Sequence, residues 1–252
     1  MPHASSTSAS SPATNSLGGN LALVTGAARG IGRAIAERLA SLGASVVLTA
    51  RDASALQAVA SAIAQRGGSA RSVPCDLLDD NAIDRLAVDV CQREGRCDIL
   101  VNCAGVGELG HPLHQTEPAS FDRILGTNLR APYLLIRAFA PLMIEQQSGH
   151  IVNISSLAGK NPLPNGAAYA ASKWALNGLT YSVAEELRQH HIRVSVVAPG
   201  SVNTHFGSGG QDDAKAARRL QPSDVADVVA LLVQQPAQSF VSEVLMRPTT
   251  KP

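Results

Sequence analysis

The chain has 252 residues, 45% of them apolar and 16% charged, and 21 Lys and Arg against 20 Asp and Glu leave a formal net charge of +1. That balance lacks the positive excess that drives nonspecific nucleic-acid binding, and the apolar fraction is too high for a disordered chain. No run approaches the roughly 20 apolar residues of a membrane span, so neither nucleic acid nor a membrane is an expected partner.

Met1 to Asn20 carries no Asp, Glu, Lys or Arg and is dominated by Ser and Ala. It has no basic start followed by an apolar run, as a secretory signal would, and residues 1–19 read as a flexible tail ahead of one domain over residues 20–252. Leu21 to Thr25 is short and apolar, as a buried parallel strand should be. Gly26 to Gly32 is a glycine loop, and Arg33 to Leu42 reads as a helix ended by Gly43. Ser45 to Thr49 is the second strand, Ser54 to Gln65 a helix stopped by Gly67 and Gly68, Ala70 to Pro74 the third strand and Asp79 to Arg93 a helix. Ile99 to Asn102 is the fourth strand, with helices at Pro118 to Leu125 and Ala131 to Gln146. Ile151 to Ile154 is the fifth, and a loop with Pro162, Pro164 and Gly166 leads into a long helix from Ala167 to His190. Ile192 to Val197 is the sixth strand, Pro222 opens a helix running to Val233, and Phe240 to Met246 closes the sheet. This alternation predicts one α/β domain: a doubly wound, Rossmann-type parallel sheet of about seven strands with helices on both faces.

The four cysteines, Cys75, Cys91, Cys97 and Cys103, form no Cys-x-x-Cys pair, and no His stands at zinc-ligand spacing from them. They read as buried free thiols of a reducing cytosol, so a cytoplasmic, metal-free protein is expected.

Ligands of open α/β sheets bind beyond the carboxyl ends of the strands. After the first strand comes Thr25-Gly26-Ala27-Ala28-Arg29-Gly30-Ile31-Gly32. Glycines let the backbone approach a pyrophosphate closely, and the helix opening there points free N–H groups and its positive dipole end at the phosphates. This Thr-Gly-x-x-x-Gly-x-Gly run resembles the cofactor motif of the classical short-chain dehydrogenases/reductases, and the resemblance continues in family order to the end of the chain. It implies that Asp76 and Leu77 contact the adenine and that Asn102-Cys103-Ala104-Gly105 stands for the family's Asn-Asn-Ala-Gly, with Cys103 a departure. It implies further that Pro199, Gly200, Val202 and Thr204 hold the nicotinamide carboxamide. The family's acidic ribose-binding position falls on Ala50, while Arg51 beside it, with Arg29 in the loop, suits a 2′-phosphate. NADP(H) is therefore expected over NAD(H), Asp52 pointing away from Arg51.

Tyr169 and Lys173 stand at i and i+4 on the long helix, on one face and one turn apart. A phenol with a pKa of about 10 is a poor base until a cation stabilises its phenolate, which Lys173 could supply. Ser156 lies thirteen residues before Tyr169, Ser155 being its competitor, and Asn128 opens the helix before the fifth strand. In the resemblance, Asn128, Ser156, Tyr169 and Lys173 match a catalytic tetrad. It implies hydride transfer between a nicotinamide and a ketone or aldehyde. Tyr169 is then the acid/base and Ser156 orients the oxygen. Lys173 binds the nicotinamide ribose, and Asn128 holds a water.

Leu157, Leu163, His205 and Phe206 are candidates for the substrate pocket, with a Gly-rich lid over residues 205–219. His111 and His114 read as a solvated loop, and His190-His191 as a helix end. The C-terminal Glu243 to Thr249 points to a carbonyl-reductase-like branch without excluding a 3-oxoacyl-carrier substrate. An NAD-dependent alcohol or polyol dehydrogenase and a catalytically silent dinucleotide sensor are the other readings. A homo-oligomer, tetramer or dimer, built on the two long helices and the last strand is expected from the resemblance.

Overall fold

The computed structural model describes residues 16–204, 206 and 216–250. Seven strands are present: β1 (Leu21–Thr25), β2 (Ser45–Ala50), β3 (Ser69–Pro74), β4 (Ile99–Asn102), β5 (Gly149–Ile154), β6 (Ile192–Pro199) and β7 (Glu243–Met246). They form one sheet in the order β3-β2-β1-β4-β5-β6-β7, every pair parallel. The α-helices lying wholly among the described residues are α1 (Gly30–Ser41), α2 (Ala53–Gln65), α3 (Asp80–Glu94), α4 (Pro118–Leu125), α5 (Ala131–Gln146), α6 (Ala167–Arg188) and α7 (Pro222–Val233).

Strand side chains alternate between the two faces, and each face is roofed by helices. Ala22, Val24, Val46, Leu48, Ile99, Val101, Val152 and Val197 pack with α1, α2 and α7. Leu21, Leu23, Val47, Leu100, Ile151 and Val194 pack with α3, α5 and α6. The expected doubly wound α/β architecture is the one found. The strand order reverses between β1 and β4, and in open sheets of this kind ligands bind at such a switch point, in the crevice beyond the carboxyl ends of the strands.

Four expectations shift. β7 starts at Glu243 rather than Phe240, because Val241 spends its backbone groups on side chains: its carbonyl accepts from Ser195 Oγ, and its N–H donates to Gln235 Oε1. The long helix ends at Arg188, short of His190. Leu17, placed in the tail, is only 3% exposed, packs in the α1-side core and donates its N–H to the Leu42 carbonyl at 2.9 Å. Finally, α4 and α5 are one rod, joined through a π turn at Gly126–Arg130.

His150, at the start of β5, is 1% exposed. The Ser195 hydroxyl donates to the Val241 carbonyl at 2.7 Å, so it accepts from His150 Nε2 at 2.8 Å, which leaves Nδ1 unprotonated and without a partner among the described residues. Burial, helped by the nearby Arg193 charge, pushes the ring's pKa down from 6.5 to about 3. Between those values the unfolded chain binds a proton that the folded chain refuses. Stability is therefore expected to fall by about 1.4 kcal/mol per pH unit on acidification through this window. Melting temperature against pH should be flatter for His150→Gln than for the parent chain; superimposable curves would remove His150 as the cause.

Candidate active site

Two glycines of the loop between β1 and α1 are required by geometry. Gly26 has a left-handed φ of 67° and lies against Ala104, whose Cα would be 2.9 Å from an added Cβ. A Cβ at Gly32 would lie 2.4 Å from the Gly26 carbonyl oxygen, so α1 enters the loop closer than any side chain allows. Ile31 is partly buried against the α1-side core. The first turn of α1 has no side-chain cap and no acidic residue, with Arg29 at its N-cap, so its N–H groups remain available to an anion.

Thr25 ties the two halves of the crevice together. Its Oγ1 accepts from the N–H groups of Cys103 and Ala104 at 2.9 and 3.0 Å and donates to the Val101 carbonyl. The turn Asn102–Gly105 is thereby held beside the glycine loop. Thr25 stands in the sequence motif, but only this contact gives it a task. Thr204 packs its methyl against Gly30, and Gly200 donates its N–H to the Met246 carbonyl, which brings the 199–204 segment over the loop. Val202 bridges to Leu220. Gly26, Arg29, Gly30, Ile31, Gly32, Ala104 and Thr204 therefore meet in one crevice.

Arg51 is exposed at the end of β2, and neither it nor Arg29 has an ion-pair partner among the described residues. Asp52 is committed elsewhere: its Oδ1 caps α2 by accepting from the Ala55 N–H at 3.0 Å. Arg51 lines a groove of about 530 Å³ with Pro74, Cys75, Asp76 and Arg85. Asp76 is exposed and turns its own loop by accepting from the Leu78 N–H, while Leu77 is buried beneath it.

The candidate catalytic residues gather beyond the ends of β4 and β5. Ser156 caps a one-turn 3-10 helix, Leu157–Gly159, its Oγ accepting from the Ala158 N–H at 3.1 Å. Its side chain also faces Tyr169, whose pKa it works to lower against the effect of burial. Ser155 instead turns inward, donating to the Lys173 carbonyl. Tyr169 and Lys173 project from successive turns of α6, 8% and 4% exposed. Lys173 Nζ donates to the Ile154 carbonyl at 2.9 Å and sits 5.8 Å from the centre of the Tyr169 ring.

The expected depression of the Tyr169 pKa, by Lys173 and an oxidised nicotinamide together, is not produced by Lys173 alone. Burial dominates and raises it, with the Ser156 side chain working the other way. Burial also lowers Lys173, to about 8. Five to six ångströms of low-dielectric contact do not offset the loss of water around either group.

Asn128 does not open a helix; it lies inside the π turn and is fully buried. Its amide accepts from the Val106 N–H and donates to the Val106 carbonyl, both at 2.8 Å, and donates to Ser172 Oγ at 3.0 Å. The side chain thus holds the 105–107 loop rather than touching Lys173. A Cβ at Gly105 would meet both Asn128 Oδ1 and Lys173 Nζ.

Phe206 leans on the Tyr169 ring, centroids 5.5 Å apart, and both rings would touch a Cβ at Gly107. Leu163 packs on Gly166 together with Leu109, a residue the sequence did not single out, and Leu157 packs on Gly200. His205 and most of the expected lid, residues 207–215, lie outside the described residues. Among the described residues no three His, Cys, Asp or Glu side chains are placed to hold a metal ion.

The residues fit a dinucleotide. A glycine cradle meets an uncapped helix end, and the buried Lys173 ammonium has one recorded acceptor for its three donors.

The comparisons with known proteins agree. The family model described as short chain dehydrogenase matches residues 20–215. An uncharacterised oxidoreductase of Staphylococcus saprophyticus is 34% identical over 229 residues, 90% of this chain and 97% of its own. A metagenomic short-chain oxidoreductase solved in complex with NADP is 58% identical, with a TM-score of 0.84 over 94% of this chain and 100% of that one. An alcohol dehydrogenase from the archaeon Thermococcus sibiricus, complexed with 5-hydroxy-NADP, superimposes with a TM-score of 0.85 at 27% identity, covering 92% and 98% of the two chains. The chain belongs to the short-chain dehydrogenases/reductases, oxidoreductases that act on alcohols or carbonyls with NAD(P).

Proposed function

We propose that the protein reduces a ketone or aldehyde to an alcohol, reversibly, with NADP(H), using Tyr169 as the acid/base. The observation that carries this reading is the grouping of Tyr169 and the buried Lys173, 5.8 Å from its ring, with Ser156 just past the end of β5. A bound nicotinamide would supply or accept the hydride. The Ser156 hydroxyl orients the substrate oxygen and lends it a hydrogen bond as negative charge develops there. Tyr169 then releases its proton to that oxygen. Lys173 holds ribose hydroxyls with the donors that Ile154 leaves free. Asn128 keeps the 105–107 loop in place beneath them and, in this reading, supports a water that resupplies the proton. The crevice residues Gly26, Gly30, Ile31 and Gly32 would take the pyrophosphate, and Asp76, Leu77, Asn102, Ala104, Gly105, Pro199, Gly200, Val202 and Thr204 the rest of the cofactor. A set of aliphatic and aryl ketones and the matching alcohols, assayed with both cofactors, tests the reading; turnover in neither direction would favour a dinucleotide sensor.

Arg51 and Arg29, both exposed and without ion-pair partners among the described residues, support NADP(H) over NAD(H). A charge-assisted contact with a 2′-phosphate is worth about 1.5–3 kcal/mol, roughly tenfold or more in affinity. Arg51→Glu is expected to weaken NADPH binding by at least that factor and NADH binding much less. Equal losses, read by fluorescence titration of both cofactors, would assign Arg51 to the fold instead.

In this reading the apolar Leu157, Leu163 and Phe206 wall the substrate pocket, which favours a carbonyl on a hydrophobic body. Tyr133 and Trp174, half exposed on α5 and α6, support a homo-oligomer, dimer or tetramer, built on those helices. No helix among the described residues is long and apolar enough to cross a membrane; a cytoplasmic site of action belongs to the same proposal and rests on the free cysteines.

A further inference from the structure

The α6 stripe that carries Tyr169 and Lys173 continues at the same four-residue step to Asn177 and Tyr181. Asn177 is 3% exposed and takes no part in the chemistry above. Its Nδ2 donates to the Gly159 carbonyl at 2.9 Å, while its Oδ1 has no partner among the described residues. A buried amide satisfied at one end only is costly, so the one bond it makes is the thing to explain.

That bond lands on the turn bearing Ser156. Gly159 ends the Leu157–Gly159 turn, and it lies so close to α6 that a Cβ would sit 2.8 Å from Asn177 Nδ2 and 2.9 Å from the Lys173 carbonyl oxygen. At the near end, Ile154 and Ser155 are joined to Lys173. Beyond the turn, Lys160 pairs with Glu243 at 2.7 Å and contacts the Tyr181 hydroxyl, which donates to the same carboxylate at 2.8 Å. Ser156 lies between these fixed points, its Oγ bound within the turn to the Ala158 N–H. The direction of the Ser156 hydroxyl therefore follows the orientation of the turn, and that orientation follows the Asn177–Gly159 contact.

We propose that Asn177 is a positioning residue for the reaction: by holding the Gly159 carbonyl it fixes the turn against α6, so that the Ser156 hydroxyl meets the Tyr169 hydroxyl. The inference rests on the reading of Ser156 and Tyr169 given above. Leu in place of Asn177 keeps the branched shape, with more bulk, and loses the donor. Gly159→Ala attacks the same contact from the other side.

The test can be read without substrate. The chain has three tyrosines, Tyr133, Tyr169 and Tyr181, so protein labelled with 3-fluorotyrosine gives few fluorine resonances, and the one lost in Tyr169→Phe belongs to Tyr169. Ser156→Ala should move its titration to higher pH. Asn177→Leu and Gly159→Ala are expected to move it in the same direction by a similar amount, and Ser156→Ala with Asn177→Leu should move it no further, as residues acting in one chain do. With NADPH and an electron-poor aryl ketone as probe, each single variant should lose about tenfold or more in kcat, with cofactor affinity nearly unchanged. A Tyr169 titration unmoved by Asn177→Leu and Gly159→Ala while Ser156→Ala moves it overturns the proposal. So does additivity of the pair, or a Ser156→Ala variant that leaves Tyr169 unmoved. If Asn177→Leu does not fold, Asn177→Ser and Gly159→Ala carry the measurement. The expected fluorine shifts without turnover of the ketone or of any other carbonyl by the parent chain would sink the oxidoreductase reading and leave the positioning role standing.

Discussion

Tyr169→Phe is expected to lower carbonyl reduction by about 10²–10⁴-fold in kcat, the usual worth of a positioned general acid, while NADPH still binds. The ring keeps its place against Phe206 and the 107 loop, so the melting temperature should change little. The loss belongs in kcat because proton transfer is made only in the transition state. The pH dependence has a definite sign. Burial raises the Tyr169 pKa, so in the absence of cofactor the phenol is protonated throughout the neutral range, which is the form needed to give a proton to a developing alkoxide. Reduction should therefore hold steady from neutral pH into the alkaline range, and alcohol oxidation, which needs the phenolate, should rise with pH. Substantial reduction by Tyr169→Phe with intact cofactor binding would refute this role, and His205 would be the next acid to test.

The strands, their order of appearance and the glycine loop were legible because each rests on a local signal: short apolar runs, glycine stops and a motif at a strand end. The Tyr169 and Lys173 positions were legible from a fixed spacing on one helix, and Ser156 from its place just past the fifth strand, thirteen residues before Tyr169. The depression of the Tyr169 pKa was expected from Lys173 and an oxidised cofactor together; in the cofactor-free chain burial raises it instead, because spacing shows which charge is near but not how much water is removed. Asn128 was placed at a helix start because a π turn has no compositional mark; the extra residue is visible only when α4 and α5 are seen as one rod. Leu17 was assigned to the tail because a single apolar residue among Ser, Gly and Asn carries no periodicity, and its burial depends on α1 and β2 arriving from elsewhere in the chain. Asn177 is a polar residue on a long helix, a common occurrence, and only its contact with Gly159 sets it apart.

Lys173 sets function against stability. Its ammonium is 4% exposed, and burial brings its pKa from 10.5 down to about 8. At neutral pH the folded chain still holds the charge, but at a cost on the order of 3 kcal/mol relative to the solvated lysine of the unfolded chain. Between pH 8 and 10.5 the folded chain releases a proton that the unfolded chain keeps, so stability should rise with pH across that window. Lys173→Met keeps most of the volume and removes the charge. It is expected to leave the cofactor-free protein as stable as the parent at neutral pH, or more so, and to flatten the rise in melting temperature between pH 8 and 10. The same substitution should cost activity heavily. It deletes the donors left for the ribose, so NADPH affinity falls, and it deletes the cation nearest Tyr169, so kcat falls as well; both should appear in steady-state kinetics together with a cofactor titration. A site that carries an uncompensated buried charge when empty gains by binding a group that supplies acceptors, and this is a physical reason for Lys173 to be where it is. A large loss of stability in Lys173→Met at neutral pH would show instead that the Nζ–Ile154 bond is a strut of the fold, and the case for a ribose-binding role would then rest on the kinetics alone.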